Sequence, residues 1–267
     1  MTISNVTDHM SSILFEIKDR VAYITLNRPD KLNSFTREMA LLLQNRLDEC
    51  ASLHEVRAVY LTGAGKAFSA GQDLAEIAGP DAPGMDKILS EHYNPIITRI
   101  RNLPKPVVAA VNGVAAGAGA NIALACDIVV AARSASFIQA FSKIGLIPDS
   151  GGTWFLPRLV GWQKAMGIAM LGDKISAEEA EKMGMVYKVA EDEKFSEISR
   201  GIVITLGGGA TKALAYTKHA FSYSAANTLE EQLLLEDELQ QKAALTKDYA
   251  EGVKAFLEKR PPAYKGE

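Results

Sequence analysis

Residues 105–131, KPVVAAVNGVAAGAGANIALACDIVVA, decide how the chain is built. The segment opens on a short apolar run, KPVVAAVNG (105–113), which reads as a buried strand ended by glycine. GAGANIALAC (117–126) then reads as a helix made of small residues, and DIVVAA (127–132) as another buried strand. Strand, helix and strand in such close succession is the pattern of a layered α/β protein. Working outward, 13–29 holds two apolar runs around Lys18-Asp19-Arg20, the signature of a β-hairpin. Residues 34–51 place Met39, Leu42, Leu43, Arg46 and Leu47 at helical spacing. VRAVYLTG (56–63) and ASFIQAF (135–141) read as short strands, and 84–103 as a helix around Pro95. Strands and helices therefore alternate from about residue 13 to 190.

Past Lys194 the pattern changes. Segments 211–224, 228–246 and 248–260 all read as helices, with Thr228/Glu231 and Asp248/Glu251 as capping pairs. Two parts are expected: a core over 1–193 and a helical region over 194–267. The leucine-rich face of 229–239 suits either packing within the chain or contact with another subunit. RPPAYKGE (260–267) reads as a tail, and MTISNVTDHMSS (1–12) as a frayed start without the charged and apolar halves of a signal peptide.

The chain has 267 residues, 48% hydrophobic and 23% charged, enough for a sizeable core. A formal net charge of −3 provides no basic footprint for nucleic acid or an anionic membrane. Cys50 and Cys126 lie far apart in apolar contexts, which suits a reducing cytoplasm and suggests neither disulfide nor metal site. No apolar run is long enough to span a membrane.

Two glycine-rich turns, 62–74 and 112–127, each follow a strand. Neither completes the dinucleotide fingerprint, because Phe68 and Ile122 stand where its third glycine belongs, and no P-loop motif is present. The remaining uses are tight turns, or backbone N–H groups brought close to one carbonyl oxygen. His9, His54, His92 and His219 are isolated, without metal-ligand spacing, and there is no serine-hydrolase elbow. Asp73 and Asp127, each closing one of the turns, read as local backbone acceptors. Asp149 stands alone among apolar and small residues in 141–161, as the cap of a helix starting near Ser150 or as an acid/base group.

NRPDKLNSF (27–35), AFSAGQDL (67–74), residues 105–131, GLIPDSGGTWFLPRLVG (145–161) and SAEEAEKMGMV (176–186), in this order, resemble the crotonase (enoyl-CoA hydratase/isomerase) family. The resemblance implies an α/β fold, a crotonase-like spiral of ββα units, with a C-terminal helical region that joins subunits into trimers or stacked trimers. It implies acyl-CoA thioester substrates, with no metal or redox cofactor. By the family pattern, the oxyanion donors are the N–H groups of Gln72 and Ala118. Coenzyme A would lie against Ser69, Ala70 and Gln72, with its phosphates near Arg28 and Lys31, and Phe256 and Lys259 would reach from a neighbouring subunit. Tyr93, Phe141 and Trp154 are expected to shape the acyl pocket. The two glutamates that split water in the hydratases correspond to Asn121 and Phe141, which leaves Asp149 as the acid/base residue, walled by Phe141, Ile147 and Trp154. Stretches 92–100, 104–120, 141–154 and 248–266 are most similar to members that isomerise a ring-epoxide acyl-CoA. Isomerisation is therefore expected, with enoyl-CoA hydration or non-catalytic CoA-ester binding as alternatives.

Overall fold

A computed structural model describes residues 11–78 and 82–267. Most of the expected frayed start, including His9, lies outside the described residues. The chain begins with β1 (Ile13–Lys18) and β2 (Val21–Leu26), an antiparallel hairpin, followed by α1 (Arg37–Ser52). Thr36 caps α1, its hydroxyl accepting from Met39 N at 3.3 Å. Met39, Leu43, Leu47 and Cys50, spaced by three or four residues, form its buried face.

Next come β3 (Ala58–Gly63), β4 (Ala67–Ser69) and the single turn α2 (Leu74–Ile77). Residues 85–102 form one helical run in which α3 (Met85–Lys87) and α4 (Asn94–Asn102) flank a π-helical segment, Ile88–Tyr93. A second unit repeats the plan with β5 (Val107–Val111), β6 (Val114–Ala116) and α5 (Ala118–Ala125). A third has β7 (Ile128–Ala132), β8 (Ser136–Ile138), a 3-10 turn over Ala140–Ile144 and α6 (Gly152–Val160). α7 (Trp162–Leu171), β9 (Lys174–Ser176), α8 (Ala177–Lys182) and β10 (Lys188–Ala190) complete this part.

Each unit gives its first strand to one sheet and its second to another. The larger sheet has the order β1-β2-β3-β5-β7-β10, parallel except for the hairpin. The smaller has the order β4-β6-β8-β9, with β9 antiparallel. The result is the spiral of ββα units expected from the resemblance. β5 is buried along its whole length, as a parallel strand covered on both faces must be.

Four helices follow: α9 (Asp192–Gly208), α10 (Thr211–Tyr223), α11 (Leu229–Ala244) and α12 (Lys247–Leu257). The boundary at residue 194 falls inside α9, whose Phe195, Ser199 and Val203 are buried; Ser199 Oγ hydrogen-bonds Tyr60 OH at 2.9 Å. Lys218 of α10 reaches Asp127 at 2.8 Å, and Asp127 also accepts from Val107 N, the backbone role expected of it.

Thr228 and Glu231 form the expected capping box. Asp248 and Glu251 do not form theirs, because Thr246 caps α12. Asp248 is buried instead and accepts from Lys265 N and Gly266 N at 2.7 and 2.8 Å. Buried Arg57, just before β3, donates to Tyr264 O at 2.9 Å, so the tail is fastened both to α12 and to the core.

Candidate active site

The turn after β4 and the start of α5 lie side by side in the wall of a cavity of about 390 Å³. Phe35 bridges the turn: its N–H donates to Gly71 O (2.7 Å) and its carbonyl accepts from Asp73 N (2.9 Å). In a parallel bridge of this kind the middle residue turns its own N–H the other way. The Gln72 N–H is therefore directed away from Phe35, and no protein acceptor among the described residues takes it. Ala118 is the first residue of α5, so its N–H lacks an intrahelical partner and lies at the positive end of the helix dipole. Gly71 lets the two turns meet. Its φ is +84°, and a methyl group there would stand 2.9 Å from Ala116 O and 3.3 Å from Ala118 N.

The Gln72 side chain is fixed as firmly as its backbone. Its amide donates to Glu76 Oε2 (2.9 Å) and accepts from Tyr93 OH (2.8 Å). Tyr93 ends the π-helical segment, is almost fully buried and borders the cavity. Burial, reinforced by the nearby Asp149 charge, holds its phenol well above the ordinary value.

Two carboxylates border the cavity, and their surroundings push them in opposite directions. Asp73 caps α2 and pairs with Arg28 at 2.9 Å, and that guanidinium keeps its carboxyl below the usual range. Asp149 has no cationic partner among the described residues, and burial raises its carboxyl; a hydrogen bond from Ser150 Oγ at 2.8 Å pulls it partly back. The helix-cap reading of Asp149 fails, because α6 begins at Gly152 behind Gly151 and the Asp149 side chain bonds Ser150 instead.

Of the residues expected at the site, Lys31, Ala70, Gln72, Tyr93, Ala118, Phe141 and Asp149 meet at this cavity. Arg28 does not. Its guanidinium turns inward to Asp73 and Ser34 O. Ser69 is buried and donates to Asn33 O, so only its neighbour Ala70 borders the cavity. Asn121 is buried behind the wall, its amide donating to Asp149 O at 2.8 Å and accepting from Gln139 Nε2 at 2.8 Å. Trp154 lies on the outer face of α6, 41% exposed, with Arg158 stacked on its ring at 4.1 Å. Ile147 is 78% exposed, and neither it nor Trp154 borders the cavity, whose apolar lining includes Phe141, Leu146 and Tyr93 instead. Phe256 and Lys259 are exposed at the far end of the chain and do not border the cavity within one subunit.

Gln139, Ser150 and Lys143 escaped sequence reasoning. A glutamine set between Phe137-Ile138 and Ala140-Phe141 was a readable signal for the first. Ser150 takes a left-handed backbone (φ +50°), which nothing in a serine foretells. No group of three or more His, Cys, Asp or Glu among the described residues could hold a metal ion.

Fold and cavity together define an α/β enzyme with free main-chain donors and a half-buried acid, Asp149, at a largely apolar pocket. The sequence model of enoyl-CoA hydratase/isomerase matches residues 16–267, and the chain belongs to that family, whose members act on CoA thioesters. It is 47% identical to 1,2-epoxyphenylacetyl-CoA isomerase of Escherichia coli K12 over 261 residues, covering 96% of this chain and 99% of that one. It is 46% identical to a probable enoyl-CoA hydratase of Rhodobacter capsulatus over 259 residues, covering 96% and 98%. The crystal structure of enoyl-CoA hydratase from Bacillus anthracis superposes with a TM-score of 0.90 at 36% identity, covering 96% of this chain and all of that one. No helix among the described residues is long and apolar enough to cross a membrane.

Proposed function

We propose that the chain is an isomerase that converts the ring-1,2-epoxide of phenylacetyl-CoA to the oxepin thioester in phenylacetate breakdown, and that also shifts double bonds in enoyl-CoA esters. The observation that carries this reading is the pairing of one carboxyl of raised pKa, Asp149, with the free N–H groups of Gln72 and Ala118 at one cavity. In this reading the thioester oxygen sits between the two N–H groups, the oxyanion hole. Each such donor is worth about 3–4 kcal/mol when charge develops on the oxygen.

For a double-bond shift, Asp149 as carboxylate takes a proton from the substrate carbon, and the electron pair moves onto the thioester oxygen as an enolate. The enolate then collapses and takes the proton back at a different carbon. One acid/base group is enough, and the reaction is redox-neutral. For the ring epoxide, the same donors stabilise the charge that builds on the thioester as the ring opens. Hydration needs a second acid to orient water, and Asn121 and Phe141 stand where the family's hydratases carry theirs.

The reading calls for no metal or redox group, coenzyme A being part of the substrate, and for a cytoplasmic enzyme working as a trimer or a pair of trimers. Lys31 at the cavity meets the coenzyme A phosphates, and Phe256 and Lys259 reach those of a neighbour. The test is incubation with the epoxide thioester, with a 3-enoyl-CoA and with crotonyl-CoA, followed by mass and ultraviolet absorbance. Isomerised products with negligible hydration are expected. Fast hydration of crotonyl-CoA would replace this reading with that of a hydratase, and binding without turnover would leave a CoA-ester-binding protein.

A further inference from the structure

The Asp149 segment is held from behind by two buried amides. Asn121, on α5, donates from Nδ2 to Asp149 O at 2.8 Å, and its Oδ1 accepts from Gln139 Nε2 at 2.8 Å. Gln139 follows β8, so the chain of bonds joins three segments that surround the cavity: the end of the small sheet, the helix that presents Ala118, and the Asp149 turn. Both amides are essentially inaccessible to solvent, and neither borders the cavity. The packing at this point leaves no slack, because a methyl group on Gly152 would run into the Asn121 amide. Just beyond the clasp, Ser150 and Gly151 both take left-handed backbone, at φ +50° and +76°. A serine held there is strained unless its surroundings impose the conformation.

The geometry points to Asn121 and Gln139 as positioning residues for Asp149. Holding the Asp149 carbonyl sets where its carboxyl stands relative to the Ala118 N–H on the same helix as Asn121. The inference rests on the acid/base reading of Asp149 and adds to it the means by which the reach of that residue is set. It also accounts for Asn121 standing off the cavity, since its amide is already engaged on both sides. Nucleophile, base and donor geometry displaced by about 1 Å typically loses about 10²-fold in rate.

The test uses the full-length protein and compares Asn121→Ala and Gln139→Met with Asp149→Asn, on the epoxide thioester and on a 3-enoyl-CoA in parallel. Gln139→Met keeps the side-chain length and serves if Asn121→Ala does not fold. Positioning predicts that kcat falls about 10²-fold while KM changes less than about 3-fold. It also predicts that the acidic limb of the kcat profile moves to lower pH, as water reaches a loosened Asp149 and relieves the burial that raises it. Added to Asp149→Asn, Asn121→Ala should cost nothing further, since the two act as a unit. Unchanged kcat and an unmoved pH limb in both amide variants, with Asp149→Asn inactive, would overturn the positioning role alone. Near-normal turnover by Asp149→Asn would overturn the acid/base reading and this inference with it.

Discussion

The Asp149 carboxyl stands in a place that disfavours charge. Its carboxyl lies above the ordinary carboxylate range because burial penalises the ionised form, and a single hydroxyl, Ser150 Oγ, partly offsets that. The sign of the effect on stability follows. At a pH above both the folded and unfolded pKa, the ionised side chain disfavours the folded state relative to the unfolded one. Asp149→Asn removes the charge, so its Tm at neutral pH should exceed that of the wild type. The gain should fade as pH falls through the folded pKa, where the wild-type carboxyl is protonated too. Thermal melts across pH check this, and an equal or lower Tm at neutral pH would contradict it. The same variant should lose about 10²–10⁴ in kcat, the contribution of a positioned acid/base group, while still binding the CoA ester. Stability gained where activity is lost is the expected trade at a site selected for reactivity.

At the scale of elements, the site depends on close contact between two short segments, the turn after β4 and the start of α5. Gly71 keeps them together, through its positive φ and through the space a side chain would fill. Gly71→Ala should therefore push the Gln72 and Ala118 N–H groups apart and lower kcat about 10²–10³-fold, comparable to losing one donor. Forcing a Cβ into the left-handed region adds about 1–2 kcal/mol of destabilisation, readable by urea titration. Normal kcat in that variant would remove these N–H groups from the mechanism.

The hairpin at 13–26, α1 and the buried strands β3, β5 and β7 were legible because they are long enough to show a period, whereas β10 and the 17-residue α9 were not read, so four C-terminal helices stand where three were expected. Of the smaller sheet only β8, within 135–141, was legible. β4 and β6 are three residues each, Ala-Phe-Ser and Val-Ala-Ala, set in turns whose glycines dominate the reading. Their pairing partners lie far along the chain, which no local pattern records. The site divides in the same way. Gln72, Ala118 and Asp149 were singled out through the order of the family's motifs, and the structure brings them to one cavity. The inward turn of Arg28 towards Asp73 and the outward turn of Trp154 depend on packing that sequence spacing does not carry.

Over the whole molecule, the C-terminal helices leave a broad apolar surface uncovered in a single chain. Leu229, Leu233 and Leu234 on α11, with Phe256 and Leu257 on α12, are all more than half exposed, Phe256 at 83%. We propose that this surface packs against other copies of the chain, as exposed apolar residues at this density do in assembled proteins. Light scattering after size exclusion should find three or six chains per particle, and Leu233→Glu with Leu234→Glu should shift the mass downward. A wild-type monomer would contradict the trimer proposal and with it any reach of Phe256 and Lys259 into a neighbouring site. The most direct test of the central claim is a crystal structure of the assembled protein with phenylacetyl-CoA, which lacks the epoxide. The predicted result is a thioester oxygen about 2.7–3.1 Å from both Gln72 N and Ala118 N, with the Asp149 carboxyl against the acyl group. A thioester oxygen bound away from those two N–H groups, or Asp149 turned from the acyl group, would contradict it.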